Sequence, residues 1–197
     1  MDRETIAVYD AKYQDYAKLT HTLTPTASLL RFINAVAPHG RVLDFGCGPG
    51  EAARNMAVAG LDVTALDASE GMISLVQKIP KVTAVHAGFD WLDQTDTFDG
   101  IWANFALLHA DPAELPSHLD AIQKALKPGG TFHLGMKTGQ GASRDGMGRH
   151  YLYFSRSEFE LMLIDRGFEI LHVKEGAEKG LSGSVDPFVL ILAQLED

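Results

Sequence analysis

Short apolar runs that end in glycine or a carboxylate alternate with amphipathic stretches along most of this chain. Residues 5–20 place Tyr9, Tyr13 and Tyr16 four and three apart, near one face of a predicted helix. Pro25 opens a second helix, with Leu29, Leu30, Ile33 and Val36 at helical spacing, and Pro38-His39-Gly40 stops it. From Arg41 the period shortens. Residues 42–45, 63–66, 82–86, 98–103, 131–136, 168–173 and 188–192 read as strands.

Helices are predicted between most of these strands. Residues 51–59 are Ala-rich and capped by Gly60; Ser69 caps a helix carrying Met72, Ile73 and Val76. Asp111 at the N-cap, Pro112 at N1 and Glu114 at N3 start another, which stops at Lys127-Pro128-Gly129-Gly130. Ser155 and Glu158 form a capping box ahead of Phe159, Met162 and Leu163, and Gly167 ends that helix. Residues 139–148, with four glycines and no apolar period, read as a mobile loop. The pattern is α/β: an open, mostly parallel seven-stranded sheet with helices on both faces. No helix separates the last two strands, so the last strand is antiparallel. Residues 1–197 form one domain, with 1–37 as N-terminal helices and 38–197 as the core.

Composition narrows the partners. The 197 residues are 46% hydrophobic and 22% charged, as in an ordinary globular protein. A net charge of −9 speaks against nucleic acid, whose phosphates it repels. No apolar run approaches the ~20 residues of a membrane helix, and the N-terminus lacks the apolar core of a secretory signal. The lone Cys47 excludes an intrachain disulfide and suits a reducing compartment, the cytoplasm.

The glycine turn after the first strand is the place to seek a ligand, because open parallel sheets bind at their carboxyl ends. Gly46, Gly48 and Gly50 allow a sharp turn and a close approach. Asp44 precedes the turn, and Asp67 ends the second strand, within reach of both hydroxyls of a ribose. A nicotinamide fingerprint would place its third glycine where Glu51 stands. A carboxylate there competes with pyrophosphate for the helix N-terminus. The expected ligand is therefore an adenosine derivative without phosphate.

Val42-Leu43-Asp44-Phe45-Gly46-Cys47-Gly48-Pro49-Gly50 resembles the first motif of the class I methyltransferases that use S-adenosylmethionine. Leu66-Asp67-Ala68-Ser69 resembles their ribose motif, with Met72 on the helix that follows. Ala87-Gly88-Phe89-Asp90 resembles the motif flanking adenine, with the acidic residue one position later than usual. Residues 98–104, ending in Asn104, and Leu107-Leu108-His109 resemble the fourth motif. Leu126-Lys127-Pro128-Gly129-Gly130 and Gly167-Phe168 are further likenesses, and the resemblance spans about residues 5–195. It implies a Rossmann-like fold, S-adenosyl-L-methionine as cofactor, and binding by Asp44, Gly46, Cys47, Gly48, Gly50, Asp67, Ala68, Met72, Phe89, Asp90 and Asn104.

The acceptor is less legible, since in-line methyl displacement demands alignment more than a special side chain. The site after the fourth strand reads Asn104-Phe105-Ala106-Leu107, without the Pro-Pro-aromatic run of enzymes acting on DNA amino groups or protein glutamine. Cys47 follows Gly46 inside the turn, unlike the nucleophile of cytosine C5 enzymes. A small-molecule acceptor remains. His109, His150 and Tyr151 are candidate bases. No metal-ligand spacing is present. The tyrosine helix and residues 139–151 are expected to close over the acceptor. A non-catalytic module holding the cofactor or its product, and a nicotinamide-dependent dehydrogenase, are the alternatives. The oligomeric state leaves no mark on the sequence.

Overall fold

Alternation along β1 (Arg41–Phe45) sets up two cores, one on each side of a sheet. Leu43 and Phe45 point into one apolar cluster and Val42 into the other. The computed structural model describes residues 2–20, 24–179, 183 and 185–197. Its seven-stranded sheet is completed by β2 (Asp62–Asp67), β3 (Val82–His86), β4 (Phe98–Asn104), β5 (Leu126–Lys137), β8 (Phe168–Lys179) and β9 (Val185–Leu195), in the order β3-β2-β1-β4-β5-β9-β8. β1 to β5 pair in parallel, while β9 is antiparallel to both β5 and β8. The order reverses between β1 and β4, which makes the crevice beyond their carboxyl ends the switch point.

Helices α2 (Ala27–Ala35), α3 (Glu51–Val58) and α4 (Glu70–Val76) cover one face, and α5 (Leu115–Ala125) and α6 (Arg156–Ile164) cover the other. Local chemistry fixes their starts. Thr26 and Ser69 accept the N–H groups of Leu29 and Met72, and Ser155 with Glu158 forms the expected capping box. Helix α1 (Arg3–Thr20) packs across α4.

Three local expectations are corrected. Residues 139–148 are not a structureless loop: β6 (Gly141–Arg144) pairs antiparallel with β7 (His150–Tyr153) as a separate hairpin. Asp111 does not cap α5. Its Oδ1 accepts Ala113 N–H in a turn, and the helix starts at Leu115 with Glu114 at its N-cap. Strand β8 does not stop at residue 173 but runs on to Lys179, into the glycine-rich stretch 176–184 that the sequence reads as a turn; residues 180–182 and 184 of that stretch lie outside the described residues.

Candidate active site

Beyond the carboxyl ends of β1, β2 and β4 lies a cavity of about 230 Å³. Its floor is the glycine turn. Gly46 and Gly48 have φ of +78° and +52°, a backbone that other residues adopt with strain. A Cβ on Gly46 would overlap that of Ala106, so the turn can nest against β4's exit only as glycine. Gly50 also has a positive φ, but it answers a packing need. Its missing Cβ makes room for Ile79 and Val76, and it does not line the cavity.

Two buried carboxylates frame this turn. Asp44 Oδ2 accepts the Ala53 N–H at 3.0 Å, at the start of α3. Burial, reinforced by the charge of Asp67 and only partly offset by that hydrogen bond, pushes its pKa up to about 7. Asp67 accepts Gly48 N–H at 2.8 Å and Ser69 N–H at 2.9 Å, which lock the turn to the end of β2. Burial still raises its pKa despite those donors. Among the described residues neither carboxylate has a Lys or Arg partner. Glu51, also in the lining, is paired with Arg54 at 2.6 Å.

Of the residues singled out from the sequence, Asp44, Gly46, Cys47, Gly48, Asp67, Met72, Asn104 and His109 are brought together around this cavity. Gly50, Ala68, Phe89, Asp90, His150 and Tyr151 are not among its lining. Phe89 is buried against Phe45, and Asp90 edges a separate groove with Glu114 and His118. Burial pushes the Cys47 thiol well above its ordinary value, so it is no nucleophile. Among the described residues no group of three His, Cys, Asp or Glu side chains is placed to hold a metal ion.

Sequence reasoning missed several members. Trp102 lines the cavity and stacks on His133, ring centroids 3.6 Å apart. His133 is neutral, its pKa pressed to about 3 by burial, and its Nε2–H donates to Asn104 Oδ1 at 3.0 Å. Gly135, opposite Asn104 on β5, leaves space for that side chain. Phe105 follows in the left-handed region, φ +56°, which turns the chain toward the cavity. A polar residue on a buried strand, as at position 133, was the available signal.

Helix α1 forms the roof with Tyr9 and Tyr16, whose rings meet edge to face. It is tied down at its N-terminal end and near its middle. Asp10 Oδ1 accepts Ser69 Oγ–H at 2.6 Å and Gly71 N–H at 3.1 Å. Thr5 Oγ1 accepts His150 N–H at 2.8 Å, and Asp2 pairs with Arg144. Tyr9 Oη lies 2.8 Å from His109 Nε2 and accepts from Arg149 at 3.1 Å. Arg149, itself buried, binds Asp145 through two nitrogens.

Residues 14–173 match the model of a methyltransferase domain. The cypemycin N-terminal methyltransferase of Streptomyces sp. is 34% identical over 136 residues, 65% of this chain and 56% of that one. An uncharacterised methyltransferase of Synechocystis sp. is 34% identical over 102 residues, 51% and 48% of the two chains. The matches thus span about half the length of these relatives. The 1,6-didemethyltoxoflavin-N1-methyltransferase of Burkholderia thailandensis, solved with 1,6-didemethyltoxoflavin and S-adenosylhomocysteine, superposes with a TM-score of 0.76 at 22% identity, over 98% of this chain and 88% of that one. With the strand order, the glycine turn and its paired carboxylates, the family match identifies this chain as a member of the class I S-adenosylmethionine-dependent methyltransferases.

Proposed function

We propose that the protein transfers a methyl group from S-adenosylmethionine to a small-molecule acceptor. The observation that carries this reading is the pair of buried carboxylates, Asp44 and Asp67, flanking a glycine cradle without a cationic partner among the described residues. A ligand bearing a sulfonium and an ammonium group supplies the missing positive charge, and its ribose hydroxyls find acceptors on Asp67. Its lack of phosphate suits a cradle rimmed by Glu51.

Bound there, the cofactor supplies a methyl carbon on a cationic sulfur, which a nucleophile attacks in line. The chain's own residues align and enclose. Asp67 and Gly48 hold the adenosine end, Asp44 and Asn104 the amino-acid end, and Met72 packs beside them. Ala68 and Gly50 act from behind, through the backbone of the turn. Phe89 and Asp90 are left to the rim near adenine. Tyr9 and Tyr16, with Phe105 and Ala106, give an apolar wall that excludes water. Residues 5–20 and 139–151 act as one lid, because α1 and the β6–β7 hairpin are joined through Thr5, Asp2 and Tyr9. Of the three candidate bases only His109 lines the cavity, with its Nε2 2.8 Å from Tyr9 Oη; His150 contributes its backbone and Tyr151 packs on the His109 ring.

A peptide N-terminal amine is a second reading of the acceptor, favoured by the name of the Streptomyces relative. Calorimetric titration with S-adenosylhomocysteine tests the cofactor assignment, with NAD as control. A screen of amines, phenols and short peptides with radiolabelled methyl donor then tests transfer. Binding without transfer to any acceptor would leave a non-catalytic module.

A further inference from the structure

The roof of the cavity has a fixed hydrogen-bond polarity. His109 Nδ1 lies 2.6 Å from the carbonyl oxygen of His150, which can only accept, so Nδ1 carries the proton. Burial keeps the ring neutral, with Arg149 and Lys137 also opposing a charge; the hydrogen bond to the His150 carbonyl and the charge of Asp145 favour one but do not prevail, and its pKa falls to about 3. Nε2 is therefore a bare lone pair, and the Tyr9 O–H donates to it across 2.8 Å. Arg149 donates to the same Tyr9 oxygen and is otherwise held by Asp145. Both hydrogens at this wall are committed within the protein. The rest of the lining adds the carboxylates of Asp44, Glu51 and Asp67 and the neutral polar side chains of Tyr16, Thr26, Asn55 and Asn104, and no Lys or Arg side chain among the described residues.

We infer that the methyl acceptor carries no negative charge, an amine or an O–H or N–H group on an apolar frame, and that carboxylate- or phosphate-bearing acceptors are refused. The inference rests on the proposed methyl transfer in this cavity. An anion entering here would give up its water and meet ring faces, like charges and a few neutral polar groups, with no cation to offset the loss. An amine or a neutral N–H or O–H group meets acceptors. Selection is thus exerted by what Tyr9 and His109 withhold, as much as by what the carboxylates attract.

Two measurements test this. Nitrogen-15 spectra of the ligand-free protein report the His109 tautomer. A protonated Nδ1 with a bare Nε2 between about pH 5 and 8 is expected, and a protonated Nε2 overturns the proposal. Protein loaded with S-adenosylhomocysteine is then titrated with benzylamine and with benzoate, one frame with opposite charges. The amine is expected to bind about tenfold more tightly or better. In His109→Ala the Tyr9 hydrogen is released toward the cavity, and the difference should shrink by about tenfold. Equal behaviour of the two probes toward the wild-type protein, absence of binding included, also overturns the proposal. Failure of S-adenosylhomocysteine to bind would instead remove the cofactor assignment. The tautomer is measured without it, so the two failures are distinguishable.

Discussion

Asp44 should make the proposed cofactor site sensitive to pH in the neutral range. In the free protein its carboxyl has a pKa of about 7, raised from 3.8 mainly by burial. A cationic ligand favours the ionised form, so binding expels a proton wherever the free group is protonated. At about pH 6 only roughly a tenth of Asp44 is ionised, so affinity for S-adenosylmethionine should be about tenfold weaker than on the plateau near pH 8. Stability moves the other way. A folded pKa raised above the unfolded one gives a contribution complete below about 3.8 and lost as pH rises through about 7. By about pH 8 that loss is on the order of 4 kcal/mol. Asp44→Asn keeps an oxygen for the Ala53 N–H and removes the titration. The variant should be more stable than the wild type near pH 8, bind more weakly there, and retain only the pH dependence due to Asp67. Calorimetry in two buffers of different ionisation enthalpy counts the released proton, and thermal melts across pH follow the stability. A dissociation constant that varies equally with pH in both proteins would refute the reasoning.

Asp67→Ala should weaken S-adenosylhomocysteine binding by about 10- to 100-fold, since it removes a charge-assisted hydrogen bond of about 1.5–3 kcal/mol. An unchanged dissociation constant in a folded variant would remove the ribose assignment. Gly46→Ala places a Cβ on that of Ala106 in the left-handed region. It should lower stability by about 1–3 kcal/mol, read by urea titration, and a melt unchanged from wild type would contradict this packing. Asp10→Ala frees α1 from Ser69 and Gly71. Amides of residues 5–20 and 139–151 should then exchange faster, and should lose protection together if α1 and the hairpin are one body.

The fold was legible where local chemistry decides. The glycine turn at 46–50, the caps at Ser69 and Ser155, and the last pair of strands with no helical pattern between them, which pair antiparallel, each write their geometry into adjacent residues. The β6–β7 hairpin was not legible, because all four residues of β6 are exposed and carry no apolar alternation. At Asp111 a turn and a cap compete for the same side chain, and the turn prevails. The site was legible on the β1 and β2 side, which one short motif builds. Its roof depends on partners far apart in sequence: Tyr9 with His109, Arg149 with Tyr9, Asp10 with Ser69. No local pattern announces such pairs. His133 reaches the site only through Asn104, from a strand that otherwise reads as core.

The stack of Trp102 on His133 gives the molecule an optical probe of its own. The chain has two tryptophans, Trp91 and Trp102, and only the second lines the cavity. One face of its indole is covered by an imidazole that stays neutral until about pH 3, so this neighbour is silent across the working range of a solution experiment. Emission from Trp102 is then free to follow what enters beside it. Filling the cavity with the proposed cofactor, a purine and a sulfonium, would change the field and the solvent at that ring. The unmodified protein can thus be titrated by fluorescence, without a label and without knowledge of the acceptor.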